Sequence, residues 1–105
     1  MALVRLVEHD GGCPRSLAIR LEDALDEGTV GLIVDLGDHV ADSVLLHLVV
    51  VTDKALIPRG GRAVLLCELN SGRAALRATG LDAQLPIAES VYHAMELVAD
   101  YLSRG

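Results

Sequence analysis

The sequence predicts a small α/β fold, a mainly parallel (or mixed) sheet of four or five strands with about four helices. Three observations carry that prediction. Short aliphatic runs alternate with stretches of helical periodicity along the whole chain, the order expected of strand–helix–strand crossovers. One run, Val30 to Leu36 (VGLIVDL), is apolar at nearly every position, as a strand buried on both faces must be. The chain has 105 residues, 51% hydrophobic and 23% charged, a globular composition with room for one domain, residues 1–105, around one core.

Taken in order, Ala2 to Glu8 is short and rich in Leu and Val and reads as a strand. Pro14 to Glu27 sets Leu17, Leu21, Ala24 and Leu25 three and four residues apart, an amphipathic helix with Pro14 in its first turn and Gly28 free to close it. After the Val30–Leu36 strand, Asp42 offers a carboxylate cap to a helix from Ser43 to about Ile57. The β-branched Val49-Val50-Val51-Thr52 argues locally for a strand. Length and a stripe of Leu45, Leu48, Val49, Thr52, Ala55 and Leu56 favour the helix. Arg62 to Cys67 is the next strand, and Ser71 to Thr79 a short helix ended by Gly80, with Leu81 as its closing apolar contact. Leu85-Pro86-Ile87 suits a brief edge strand, where the amide that Pro86 lacks is not missed. Ser90 caps the last helix, whose stripe is Val91, Ala94, Met95, Val98 and Leu102.

Several function classes are disfavoured. Nine basic and fifteen acidic residues give a formal net charge of −6, the wrong sign for phosphate backbones and anionic lipid surfaces. Tyr92 and Tyr101 are the whole aromatic complement, which builds no base-stacking platform. Neither nucleic acid nor membrane is expected as a partner. The N-terminus is too short and too charged for a secretory signal, and no apolar stretch has the ~18–20 residues a bilayer span requires; the expected location is the cytoplasm. Cys13 and Cys67 form no disulfide or zinc pattern. Cys67, closing a strand, reads as a small buried hydrophobe. His9, Asp10 and Cys13 lie close together without a completing ligand, and His47 and His93 are expected at the surface, so neither metal nor cofactor is predicted. Gly11-Gly12 and Gly60-Gly61 lack the context of a phosphate loop and read as turns.

Two features bear on function. Ser43 with His39 and Asp38 or Asp42 is a conceivable hydrolase arrangement, but no G-x-S-x-G elbow accompanies it and chance proximity is the better account. The helix from Ser43 is apolar around much of its circumference. Leu46 and Val50 lie one turn apart and roughly 100–140° round from the core stripe. They are expected outside the core, on a surface facing a partner, with wedging between neighbouring helices as the alternative.

At this point the residues show a family resemblance. VGLIVDL, then ADS opening a helix, then RGGRAVLLCELNSGRAALRATGLDAQLPI and a final amphipathic helix resemble the STAS domain. The similarity runs from about Val30 to Leu102. Its most specific parts are the Gly-Gly-x-x-x-Leu opening of a strand (Gly60, Gly61, Leu65) and Thr-Gly-Leu-Asp at Thr79 to Asp82. The best-known soluble members are bacterial anti-sigma-factor antagonists.

The resemblance implies a regulatory partner switch without catalysis by this chain. In such switches the unphosphorylated domain binds an anti-sigma factor that is also a serine kinase. ATP-dependent phosphorylation at the start of the second long helix breaks the complex. The family motif is Asp-Ser-Ser/Thr-Gly; Asp42-Ser43 matches its first two positions, which makes Ser43 the implied phosphoacceptor. Asp38, His39, Asp42, Leu46 and Val50 are the expected partner-binding residues, and a homodimer is compatible with the reading. Val44 and Leu45 depart from the motif, the loop from Asp35 to Asp42 is one residue shorter than usual, and one strand replaces the usual N-terminal hairpin. The alternative is therefore a degenerate STAS module that binds its partner constitutively, with the small serine hydrolase third.

Overall fold

The computed structural model describes residues 2–5, 14–35 and 43–104. Within them, strands β1 (Ala2–Arg5), β2 (Gly31–Asp35), β3 (Arg62–Leu66) and β4 (Ile87–Ala88) alternate with helices α1 (Pro14–Asp26), α2 (Ser43–Leu56), α3 (Asn70–Ala78) and α4 (Val91–Arg104). The strands lie in the order β1-β2-β3-β4, and every neighbouring pair is parallel. This is the α/β architecture expected from the alternation, in its all-parallel form, and it is consistent with a small STAS-like fold.

The strand order never reverses. Three crossovers stepping in one direction with one hand must put α1, α2 and α3 on the same face of the sheet. The packing agrees. Leu32 and Val34 of β2 and Ala63 and Leu65 of β3 meet Leu17 and Leu21 of α1, Leu45 and Val49 of α2 and Leu76 of α3. Residues of the opposite parity, Ile33, Val64, Leu66 and Ala88, meet Ala94 and Val98 of α4. The central strands are thus buried on both faces, which is why Val30 to Leu36 reads as a nearly continuous apolar run.

The ends of the elements follow local chemistry. Gly28, at φ +80°, closes α1 with amide bonds from Gly28 to Leu25 (3.1 Å) and from Thr29 to Ala24 (3.1 Å), the paired Schellman pattern. Two glycines join α2 to β3 for different reasons. Gly60 takes φ +78° after the 3-10 turn Ile57–Arg59, whereas a Cβ on Gly61 would fall on the Val30 carbonyl oxygen. Ser90 Oγ accepts the His93 amide at 3.1 Å, the predicted cap of α4. The Glu89 amide in turn donates to His93 Nδ1 at 3.2 Å.

α2 is a helix throughout, so tertiary packing overrides the β-branched run Val49–Thr52. Its buried stripe differs from the expected one. Leu46, expected outside the core, is only 8% exposed and belongs to it, and Val50 packs half-buried against it. Ala55, expected inside, is exposed. The stripe is turned by about 60° from the expectation at ~100° per residue. The cause is Asp53, which is buried: its Oδ1 accepts from Arg62 Nε at 3.0 Å and from the Ala63 amide at 2.8 Å. A polar residue tied to β3 draws its own side of the helix inward, and Leu46, two turns earlier, follows. A smaller correction concerns α4, where Met95 is 45% exposed and Leu97 takes its place against the core. Of the predicted strand Ala2–Glu8, the part beyond Arg5 lies outside the described residues.

Candidate functional site

Ser43 is the first residue of α2 and is exposed. It stands on the lip of a surface groove of about 280 Å³. One wall is α2, through Leu46, His47 and Val50; the other is the end of α3 and the turn after it, through Thr79, Leu81 and Gln84. Leu46 and Leu81 are core residues whose edges form the floor. Exposed His47, Thr79 and Gln84 make a polar rim with Ser43.

The second wall is held by specific bonds. The Thr79 hydroxyl donates to the Leu76 carbonyl at 2.7 Å, satisfying a carbonyl left open at the end of α3. Gly80, at φ +77°, turns the chain into the 3-10 turn Leu81–Ala83, and the Gln84 amide donates to the Leu81 carbonyl at 2.8 Å. Arg62 Nη2 donates to the Gln84 carbonyl at 3.0 Å. Since Arg62 also holds Asp53 of α2, both walls are tied to the first residue of β3. The guanidinium lies 5.0 Å from the Tyr101 ring centroid, which adds α4 to the same junction.

Of the predicted site residues, Ser43, Leu46 and Val50 meet in this groove. Leu46 contributes as floor and not as a projecting contact. Asp38, His39 and Asp42 lie outside the described residues, as do His9, Asp10 and Cys13. The second wall was not anticipated as part of the site. Thr79 and Leu81 belong to the Thr-Gly-Leu-Asp segment, which is legible as a helix end and as part of the family resemblance but not as part of a site; Gln84 carries no signal. Cys67 is buried as expected, with its thiol 3.5 Å from the Leu69 carbonyl. Among the described residues no cluster of His, Cys, Asp and Glu could hold a metal ion. No helix among them is long and apolar enough to cross a membrane.

The groove has an apolar floor and an exposed hydroxyl at its edge. The amide end of a 14-residue helix lies beside that hydroxyl, and its partial positive charge favours an anion there.

No protein-family model matches the chain, and no curated protein matches it. Among solved structures, the NMR structure of the protein TM1081 is similar, with a TM-score of 0.68 at 21% sequence identity. The likeness covers 92% of this chain and 78% of that one. At that identity it establishes a common fold.

Proposed function

We propose that the chain is a STAS-type regulatory domain that docks a protein partner on the groove between α2 and the segment after α3, and that phosphorylation of Ser43 releases it. The proposed partner is a bacterial anti-sigma factor that is also a serine kinase, and the chain acts as its antagonist in the cytoplasm. It is the kinase's substrate and performs no catalysis itself. The observation that carries this reading is the position of Ser43: exposed, at the first residue of α2, on the lip of a groove with an apolar floor. A phosphate there adds about −1.5 to −2 charges, which the helix end tolerates while the site is open to water. Buried beneath a partner and next in sequence to Asp42, the same charge loses its solvent and meets a like charge. Release then needs no refolding, because Ser43 supports no part of the core.

A second reading, constitutive docking without phosphorylation, draws on Leu45. This residue stands where the family motif has glycine, and it is fully buried in the core.

The test compares wild type, Ser43→Ala, Ser43→Asp and His47→Glu as baits in host lysate, with mass spectrometry of the retained proteins and of Ser43 after addition of ATP. An ATP-binding kinase held by wild type and Ser43→Ala, lost with Ser43→Asp and His47→Glu, and phosphate mapped to Ser43 are the expected results. Equal retention by wild type and Ser43→Asp, with loss on His47→Glu, favours the constitutive module. A partner indifferent to His47→Glu removes the groove from both readings.

A further inference from the structure

His47 interrupts an aliphatic run. From Val44 to Val51 it is the one polar residue, and it stands exposed on α2 at the Ser43 groove. Packing gives no reason for an imidazole there, because the core takes Leu45, Leu46 and Val49 and leaves this position to solvent. Among the described residues His47 has no hydrogen-bond or ion-pair partner. His93 is the contrast: its Nδ1 accepts the Glu89 amide at 3.2 Å at the start of α4.

The placement of His47 relative to Ser43 is specific. Four residues of helix span about 6 Å along the axis and about 40° around it, so the two side chains are neighbours. Helical side chains lean toward the N-terminus, which directs the His47 ring over the turn that begins at Ser43. An anion followed four residues later by a cation is also the favourable order of such a pair. A serine hydroxyl offers the ring little, whereas a phosphate reaches further and carries several strong acceptor oxygens.

We propose that His47 is the internal receptor of the Ser43 phosphate: once Ser43 is phosphorylated, the His47 imidazolium pairs with it across one turn of α2. The inference rests on the proposed phosphorylation of Ser43 and adds how the modified state is held. Imidazole suits this role better than a fixed charge. In its neutral form it adds no charge for a docking partner to desolvate at the rim of an apolar groove. Beside a phosphate it takes up a proton and makes a charge-assisted hydrogen bond. One modification then withdraws both Ser43 and His47 from the partner. The surrounding groups leave the role to His47. Thr79 and Gln84, on the opposite wall, do not ionise. Lys54 is exposed on α2, but lies about 16 Å beyond Ser43 along the axis. Asp42 precedes Ser43, and Asp82 belongs to the turn Leu81–Ala83; as single charges they compete for His47 with a phosphate that brings about two.

The test uses the full chain with phosphoserine placed at position 43 during translation, so that no kinase is needed. Phosphorus NMR follows the second ionisation of that phosphate against pH at low salt. Its midpoint in the otherwise wild-type chain should lie at least about 0.5 pH units below that in His47→Gln, because a nearby cation favours the dianion. His47→Gln should fold as wild type does, its position being exposed. His47→Lys should restore the low midpoint, and about 1 M salt should narrow the gap between wild type and His47→Gln. Equal midpoints for wild type and His47→Gln at low salt overturn the pair, as does a gap that His47→Lys fails to restore. The switch itself fails separately. A kinase retained equally by wild type and Ser43→Asp removes the phosphorylation reading, while the phosphate installed in translation still reports whether His47 receives it.

Discussion

Asp53 and Arg62 join α2 to the beginning of β3, with Arg62 Nε 3.0 Å from Asp53 Oδ1. That oxygen also accepts the Ala63 amide at 2.8 Å. The pair fixes how α2 is turned about its axis, and the same guanidinium reaches the Gln84 carbonyl that borders the candidate site. A buried acid therefore sets the exposure of Leu46, about 10 Å of helix away, and of Ala55, and the shape of a groove whose near wall begins at Val50, about 4.5 Å of helix away.

Removing that acid should be costly. Asp53→Ala leaves a buried amide and an arginine without their acceptor, and a loss of about 2–4 kcal/mol is expected. Asp53→Asn keeps an oxygen for the Ala63 amide and should lose less. Urea denaturation of the three proteins reads the difference, and equal stability of Asp53→Ala and wild type would remove the pair as the determinant of the helix rotation.

The glycines at the two ends of the α1–β2 and α2–β3 connections should respond differently. Gly61→Ala drives a methyl into the Val30 carbonyl, in a backbone paired through the Arg62 amide to that same carbonyl at 3.0 Å. A loss of about 3 kcal/mol is expected from the forced shift. Gly28→Ala has open space for its Cβ and meets only the positive φ, which costs about 1–2 kcal/mol. Thermal melts of the pair test the order.

Leu46 and His47 are neighbours in sequence with opposite expected effects. Leu46→Ala should cost about 2–4 kcal/mol, as for other buried leucines, and Leu46→Asp should prevent stable folding. His47→Ala should stay within about 0.5 kcal/mol of wild type, being exposed. Chemical denaturation of each checks this. The contrast matters for mapping, because loss of partner binding by a Leu46 variant reports on the core, while loss by a His47 variant reports on the surface.

What the sequence by itself determined is the succession of elements and their ends. Alternating aliphatic runs and helical stripes specify strand and helix because burial periodicity is a local property of the backbone. Gly28, Gly80 and Ser90 end or begin helices through bonds that span no more than five residues, so they too are legible along the chain. Which residues of β2 and β3 share a face follows from the same rule, and both faces are buried. The rotation of α2 was decided only in the tertiary structure. Periodicity assumes that polar residues face water, and Asp53 faces Arg62 and Ala63 across nine and ten positions instead. The candidate site was decided there too. Ser43 and Val50 lie on the helix where the sequence puts them, but their opposite wall comes from Thr79, Leu81 and Gln84, more than 25 residues further on. Only the all-parallel order of the sheet, carrying α2 and α3 to the same face, brings the two together.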